Sequence, residues 1–441
     1  MGLRDFIVTP LVVILIYIGA YFIRPFVSNS LNRKYFFPGL TVKIVGAILV
    51  GFVYQFYYDG GDTFNFHTVG SRIIWSTFVE NPMKGLQLLF SNGQHIGGLF
   101  EYSSQILFYR DSSSFLIVRI ATLFDLITFS TYTATASMFA AVSFAGMWMF
   151  FLTFYKMYPN LHFKLAVACL FIPSVVFWGS GIFKDTVTLA ALGFTTYSFH
   201  ALFLREKPAI QYLILFILSL LVINAIKKYV LLSFLPALLI WFFSRNMFRI
   251  KSIIAKVLLL PVVILLVISL GYFAVLKVGE DDPRYNVSNL AQTVKITAYD
   301  IRYGWGARTG DGSGYTLGEL DGTWQSMLRL APKAINVSLF RPYFWEVSNP
   351  LMLLSAMEGF ALLILTLFTL VKIKYRFFKY LLKPEVLFCF IFSIIFAFAV
   401  GISTYNFGSL SRYKIPMMPF YVVALILMWE YSKRDKKHYV Q

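Results

Sequence analysis

The chain has 441 residues, of which 58% are hydrophobic and only 14% are charged. This composition excludes a water-soluble globular enzyme, because a soluble chain of this length carries more polar residues. In a soluble protein the formal net charge of +18 would favour a nucleic-acid partner. In a chain this hydrophobic, an excess of Lys and Arg is typical of a membrane protein, in which these residues are concentrated in the cytoplasmic loops. No nucleic-acid partner is therefore expected.

Apolar runs long enough to cross about 30 Å of hydrocarbon follow one another along most of the sequence. The first extends over residues 7–26, and we interpret it as a retained membrane helix. Further spans are predicted at residues 41–58, 134–155, 165–181, 186–203, 209–226, 229–244, 253–277, 350–371, 386–402 and 415–431. The sequence therefore predicts an all-α, polytopic transmembrane protein with about eleven spans, forming a single integral membrane domain over residues 1–441.

Two segments between the predicted spans are long enough to hold structure outside the membrane, at residues 59–114 and 278–349. We expect interfacial helices in the first of them. Orientation follows from the cations, because loops rich in Lys and Arg stay in the cytoplasm. This rule predicts that both large loops face outward and that the C-terminus is cytoplasmic. The cations of the first part of the chain that it assigns to the cytoplasm are Arg24, Arg33, Lys34 and Lys43.

The apolar stretch at residues 115–131 decides between eleven and twelve spans. It contains Arg119 and Asp125, and a charge near the centre of a lipid-facing helix costs about 2.5–3.5 kcal/mol. We therefore expect an interfacial or re-entrant segment, which keeps the 59–114 loop outside. If this stretch crosses the membrane instead, the chain has about twelve spans and that loop is cytoplasmic.

An acidic turn follows the second predicted span, in the segment at residues 57–67. Asp59 and Asp62 are three residues apart around two glycines, so their carboxylates can converge on an acceptor hydroxyl or on a divalent cation. We interpret both as candidate catalytic residues. The alternative is a solvated turn whose acidic residues cap the next helix. The pair allows Mg²⁺ or Mn²⁺ without requiring either, so no cofactor is certain.

A second group of polar residues stands at the ends of later spans, and we interpret it as a phosphate or donor site. Lys184 and Asp185 stand where one predicted span begins, so the Asp can cap the helix and the Lys can reach a lipid phosphate. The alternative is a charged pair that merely separates two spans. Cations retained outside, against the positive-inside rule, favour an anionic ligand. The other candidates on the predicted outer side are Arg302, Arg308, Arg341, Glu346, Arg412 and Lys414.

Four of these motifs together resemble the GT-C superfamily, which comprises polytopic glycosyltransferases and polysaccharide polymerases of bacterial envelopes. They are the acidic aromatic motif at 57–67, Pro-Ser-x-x-x-Trp followed by Lys-Asp at 173–185, Arg-Pro-x-x-Trp-Glu at 341–346 and Arg-Tyr-x-x-Pro-x-x-Pro at 412–419. The arginines of the late loop are similar by position to those of the O-antigen polymerase branch. The resemblance implies that Asp59 or Asp62 acts as a base, while the cations bind the phosphate of the donor.

The partners that the resemblance implies are a lipid-linked sugar donor, a saccharide, lipid or protein acceptor, and membrane lipids. The location that it implies is the bacterial inner membrane. The function expected is therefore transfer of sugar from a polyprenyl phosphate or pyrophosphate donor to an acceptor hydroxyl on the outer face. The sequence favours an enzyme, and it distinguishes neither a transferase from a polymerase nor one sugar from another.

Two other functions stay open from the sequence. A flippase or transporter for an anionic lipid-linked saccharide would also use outer cations. Transporters tend to have internal repeats and ionisable residues at mid-span, whereas this sequence has no evident repeat and its polar residues cluster at span ends. A structural subunit of an envelope assembly machine would need no acidic pair.

Overall fold

The computed structural model of the chain describes residues 2–94, 96–204, 209–250, 288–305 and 312–438, together with scattered residues between 252 and 286. These residues form helices and no β-strand, which confirms the prediction of an all-α membrane protein. Among them, 7 helices are long and apolar enough to cross a membrane, or up to 8 if a bent pair near the C-terminus is one span. The count of eleven spans stays a prediction, because about half of the residues of the span predicted at 253–277 lie outside the described residues.

The contacts divide the chain into two compact units, Met1–Lys227 and Lys228–Gln441. In the first unit, long helices alternate in sequence with groups of short ones. Its helices are α1 (Leu3–Val27), α2 (Arg33–Phe56), α3 (Asp62–Phe66), α4 (Arg72–Glu80), α5 (Pro82–Leu89), α6 (Phe100–Ser103), α7 (Ser112–Thr128), α8 (Tyr132–Met157), α9 (His162–Leu170), α10 (Pro173–Trp178), α11 (Lys184–Phe199) and α12 (Ile210–Ile226).

In the first unit, α8 is central and packs against α1, α2, α9 and α11. Its crossing with α11 is formed by glycines, because a Cβ atom on Gly193 would lie 2.0 Å from the carbonyl oxygen of Gly146. Small residues of this kind let membrane helices approach closely. Near the ends of the same two helices, the Lys156 ammonium donates a hydrogen bond to the Tyr197 hydroxyl at 2.9 Å. Residue numbers increase in both helices from the glycine contact to the Lys156–Tyr197 contact, so α8 and α11 run parallel.

Between these parallel helices the chain returns through a broken helix. The sequence predicts one span at 165–181, but α9 ends at Leu170, α10 covers only Pro173–Trp178, and residues 179–183 are not helical. Lys43 from α2 closes the carbonyl end of α10, since its ammonium donates to the carbonyl oxygens of Val175 at 2.8 Å and Gly179 at 2.9 Å. The break is therefore sustained by a side chain that satisfies the exposed carbonyls.

Lys43 itself lies in the middle of α2 and is 1% exposed. The prediction that it belongs with the cytoplasmic cations is therefore wrong. The physical reason is that carbonyl groups of a neighbouring broken helix replace the water that an ammonium group would otherwise require. Ser143 of α8 donates to the same Gly179 carbonyl at 2.6 Å, so three segments meet at this point.

Both ends of α7 lie at the end of the first unit where α8 and α11 begin. At its N-cap, the Asp111 carboxylate is 3.2 Å from the ammonium of Lys184, the first residue of α11. At its last residue, the Thr128 hydroxyl is 2.6 Å from that of Thr135 in the first turn of α8. This geometry supports the interpretation of residues 115–131 as a segment that does not span. The side of the membrane that this end faces stays a prediction.

The second unit is built around one long apolar helix, α18. Its helices are α13 (Lys228–Arg249), α14 (Leu290–Tyr299), α15 (Trp324–Phe340), α16 (Pro350–Ile373), α17 (Phe377–Leu381), α18 (Pro384–Thr404), α19 (Phe407–Tyr413) and α20 (Met418–His438). α18 packs against α13, α14, α15 and α20. The predicted outer loop at 278–349 thus contains two described α-helices, α14 and α15. α19 meets α20 at a bend of 65°.

Candidate functional site

The Asp59–Asp62 turn directly follows the end of α2. Asp59 has φ +49° and is exposed, and Gly60 and Gly61 have φ +122° and +117°. A Cβ atom on Gly61 would lie 2.9 Å from the ring of Tyr54, so this close approach requires glycine. Asp62 is the first residue of α3, where a carboxylate also stabilises the helix N-terminus. The two candidate acids therefore stand at the two ends of a glycine turn.

The ring of Tyr54 connects this turn to the start of α11. On one side it contacts Gly61, and on the other its centroid is 5.5 Å from the centroid of the Phe183 ring. Phe183 is the N-cap residue of α11, and Lys184 follows it. The structure therefore brings the predicted acidic turn and the predicted phosphate-binding lysine to the same end of the first unit.

Lys184 is held by residues that the sequence did not single out. Its ammonium lies 3.2 Å from the Asp111 carboxylate and donates to the Ser113 hydroxyl at 2.8 Å. Burial alone would raise the pKa of Asp111, but hydrogen bonds from Ser114 and Ser113 and the charge of Lys184 outweigh it and lower the pKa to about 2. The signal that could have found Asp111 is its position as an N-cap before a serine run and an apolar stretch.

Asp185 pairs with Lys227 instead of capping α11. The carboxylate and the ammonium form an ion pair in which the side chains are 3% and 8% exposed. Phe183 occupies the N-cap position and makes no side-chain cap hydrogen bond. Asp185 thus joins the start of α11 to the residue that follows α12, which is a structural contact at the border of the candidate site.

A buried polar cluster beneath the first loop was also missed by the sequence analysis. Asp125 of α7 is 0% exposed and accepts hydrogen bonds from the hydroxyls of Ser71 and Thr135, both at 2.6 Å. The imidazole Nε2 of His67 lies 3.4 Å from the same carboxylate. The carboxylate therefore links the π-helical turn after α3 to α7 and α8. Asp125 would be too costly to expose to lipid. It is buried instead, and the hydroxyl groups that donate to it offset the cost of its burial.

In the second unit, two of the predicted arginines meet at Tyr315. Arg302 donates to the Tyr315 carbonyl oxygen, and the guanidinium carbon of Arg341 lies 5.7 Å from the centroid of the Tyr315 ring. The same guanidinium carbon lies 5.9 Å from the centroid of the Tyr343 ring and 5.4 Å from that of Phe407. The Arg341 guanidinium forms an ion pair with Glu346, so these two predicted donor-binding residues neutralise each other.

Two remaining candidates of the second unit have other neighbours. Arg412 lies over the ring of Tyr413 at 5.0 Å, and Lys414 is 1% exposed and interacts electrostatically with Glu358. Lys414 is therefore a buried residue and not an open phosphate ligand in this conformation. Arg308 lies outside the described residues.

No preformed metal centre occurs among the residues that the structure describes, since no group of three or more His, Cys, Asp or Glu side chains there could hold an ion. A Mg²⁺ or Mn²⁺ ion at Asp59 and Asp62 would thus need further oxygen ligands from substrate or water.

Comparisons with known proteins place this chain beside no established relative. No family model matches the sequence, no curated protein is similar to it, and no solved structure is similar to its fold. The fold defines an all-α polytopic membrane protein, and a functional assignment has to come from the residues themselves.

Proposed function

We propose that the protein is a membrane glycosyltransferase or polysaccharide polymerase. It would transfer sugar from a polyprenyl phosphate or pyrophosphate donor to an acceptor hydroxyl on the outer face of the bacterial inner membrane. The observation that carries the proposal is the contact of Tyr54 with both Gly61 and Phe183. Through it, two carboxylates on a glycine turn and a lysine at the start of a membrane-length helix belong to one end of the first unit.

The chemistry of sugar transfer needs both kinds of group. The acceptor oxygen forms a bond to the anomeric carbon, the bond from that carbon to the phosphate oxygen breaks, and the phosphate leaves with the electron pair. In the proposal, Asp59 or Asp62 takes the acceptor proton. Lys184 and the N-terminal end of α11 stabilise the negative charge that develops on the phosphate.

In the structure, Lys184 already has partners that a donor phosphate would have to replace. Because Asp111 and Ser113 already engage the ammonium, a donor phosphate would have to compete with the Asp111 carboxylate. A pyrophosphate donor, or the monoester phosphate that leaves from a phosphate donor, carries about two negative charges and is favoured in that competition over a single carboxylate. Asp111 then acts as a positioning residue, since it holds Lys184 at the mouth of the site between turnovers.

The second unit supplies groups of the type that bind sugars and phosphates. Aromatic faces stack on sugar rings, and guanidinium groups bind phosphate through paired hydrogen bonds. Tyr303 and Trp345 are 57% and 81% exposed, and both lie close in sequence to the arginines at Tyr315. Within the second unit, Arg302 and Arg341 stay candidate phosphate-binding residues, and phosphate binding to Arg341 would displace Glu346.

The proposal is tested with purified protein in lipid vesicles and radiolabelled sugar on a polyprenyl phosphate carrier. We expect the Asp59→Asn, Asp62→Asn double variant to lose at least about 100-fold in transfer rate, the usual effect of removing a general base. Glu101→Gln is the matched control, because Glu101 is an exposed carboxylate in the same loop. Equal transfer by the double variant and this control would refute the base assignment.

The same assay distinguishes transfer from transport. A glycosyltransferase converts the label into a product that is no longer linked to the carrier phosphate. A flippase would instead move the intact lipid-linked sugar between leaflets, and the label would stay on the carrier. Recovery of only the intact donor after its movement across the vesicle membrane would support transport and contradict the proposed function.

A further inference from the structure

A shallow apolar groove lies on the surface of the first unit, between α1 and α2. It has a volume of about 540 Å³ and is lined by Ile14, Tyr17, Ile18, Tyr21, Phe22 and Phe37. All of these except Phe37 belong to α1 and recur at the spacing of one helix face. The side chains of Ile14, Ile18, Tyr21 and Phe22 are largely exposed, and those of Tyr17 and Phe37 are half-buried. Because α1 is one of the membrane-length helices, the groove opens toward hydrocarbon.

Arg24 closes one end of this groove. It continues the α1 stripe by one further turn, and its guanidinium carbon lies 4.5 Å from the centroid of the Phe37 ring and 5.8 Å from that of Tyr21. Its Nε atom is buried, and no residue of the described chain accepts a hydrogen bond from it. A buried donor without an acceptor is unfavourable. An anionic ligand at this end of the groove would supply the acceptor that the Arg24 Nε–H lacks.

The length of the groove matches one leaflet of a bilayer. Ile14 and Arg24 are separated by ten residues, or about 15 Å along the helix axis at the usual rise. Half of a hydrocarbon core of about 30 Å is the same length. With Arg24 at the level of the head groups, the stripe from Tyr21 to Ile14 therefore extends to about the middle of the membrane. This is the path of a single acyl chain.

Charge at this end of the unit also favours an anionic head group. Between Asp5 and Asp59 the sequence contains no Asp or Glu, and Arg33 and Lys34 follow Arg24 at the start of α2. The Asp5 carboxylate is at the opposite end of α1, where it accepts a hydrogen bond from the Thr133 backbone N–H at 3.1 Å. No carboxylate from these two helices therefore competes with a phosphate for Arg24.

We propose that this groove binds one acyl chain of an anionic phospholipid and that Arg24 binds the phosphate of its head group. The aromatic rings of Tyr21 and Phe37 hold the guanidinium in place, and the apolar stripe of α1 contacts the chain. This site lies at the opposite end of the first unit from the Asp59–Asp62 turn, so it does not depend on the proposed function.

The experiment is native mass spectrometry of the purified full chain in detergent, with equal amounts of phosphatidylglycerol and phosphatidylcholine added. We expect the wild type to retain a single phosphatidylglycerol with about a tenfold preference over phosphatidylcholine, as a charge-assisted contact gives. Arg24→Gln should lose this preference. Arg33→Gln should keep it, because Arg33 is an exposed cation at the same end that does not line the groove.

A second variant tests the apolar part of the site without changing Arg24. Ile18→Trp fills the groove and should reduce retention of both lipids, while the melting temperature in detergent without added lipid stays close to that of the wild type. Equal retention of the two lipids by the wild type would overturn the proposal, and so would undiminished phosphatidylglycerol binding by Arg24→Gln. A dimer that Ile18→Trp disrupts, with no lipid retained by the wild type, would show that a second copy occupies the groove instead.

Discussion

Lys227 and Asp185 form an ion pair that is almost fully removed from solvent, and it joins the end of α12 to the first turn of α11. Two neighbouring residues at the start of α11 thus have different roles. Lys184 is partly exposed and reaches toward the first loop, whereas Asp185 points into the unit and fixes the helix that carries Lys184.

We expect that breaking this buried pair destabilises the protein by about 3–5 kcal/mol, because the remaining buried charge loses the opposite charge that compensates it. Lys227→Met and Asp185→Asn are the test variants, and the fraction folded is followed during titration with sodium dodecyl sulfate. The combined Asp185→Asn, Lys227→Met variant should lose less than the sum of the single changes.

The exposed pair of Arg434 and Glu430, 3.0 Å apart in α20, provides the control. Arg434→Gln should cost less than about 1 kcal/mol. If Lys227→Met costs no more than Arg434→Gln, the ion pair at the start of α11 does not stabilise the first unit in the way described.

Asp111 gives the protein a pH dependence of defined sign. Its burial opposes ionisation, but hydrogen bonds from Ser114 and Ser113 and the charge of Lys184 lower its pKa to about 2. Since the folded pKa is below that of the unfolded chain, the stabilisation is complete above a pH of about 4 and is lost as the pH falls toward 2. The melting temperature of the wild type should therefore fall more steeply between about pH 5 and pH 2 than that of Asp111→Asn. Parallel curves for the two proteins would contradict the pairing.

The crossing of α8 and α11 should tolerate no added methyl group. In Gly193→Ala the new Cβ atom would overlap the Gly146 carbonyl oxygen, from which it would lie 2.0 Å away, so we expect a loss of about 1–3 kcal/mol from forced separation of the helices. Gly19→Ala in α1 is the control, because a Cβ atom there meets nothing within 4 Å. Thermal unfolding of both variants checks this prediction, which fails if their melting temperatures are equal.

The helices and some of their ends could be predicted from the sequence because their signals are local. Long apolar runs define α1, α2, α8 and α11, and the polar pair at Lys184 marks where α11 begins. The charges of Arg119 and Asp125 favour an interfacial or re-entrant segment; Asp125 is buried, and whether residues 115–131 cross the membrane stays a prediction. Each of these inferences needs only the residues within one segment.

The contacts that define the site depend on residues far apart in the sequence, so the sequence could not reveal them. Asp111 and Lys184 are separated by 73 positions, and nothing local to either predicts their pairing. Arg341 and Glu346 were both expected to bind the donor, but the turn between them lets them pair with each other. The segment that joins α9 to α10 is as apolar as a continuous span, so its composition does not predict a break. The side chain that satisfies the carbonyl groups at the end of α10 is Lys43, which lies far away in the sequence.

Lys43 also constrains how the protein is made. Its ammonium reaches the Val175 carbonyl, 132 positions later in the chain, so α2 is synthesised long before the groups that satisfy it. An unpaired lysine in the middle of a membrane helix costs about 2.5–3.5 kcal/mol on the insertion scale. The nascent α2 therefore gains less on insertion than an uncharged helix of the same length, and this cost is removed only when α10 supplies its carbonyl groups. The stability of α2 thus depends on a segment that is synthesised much later.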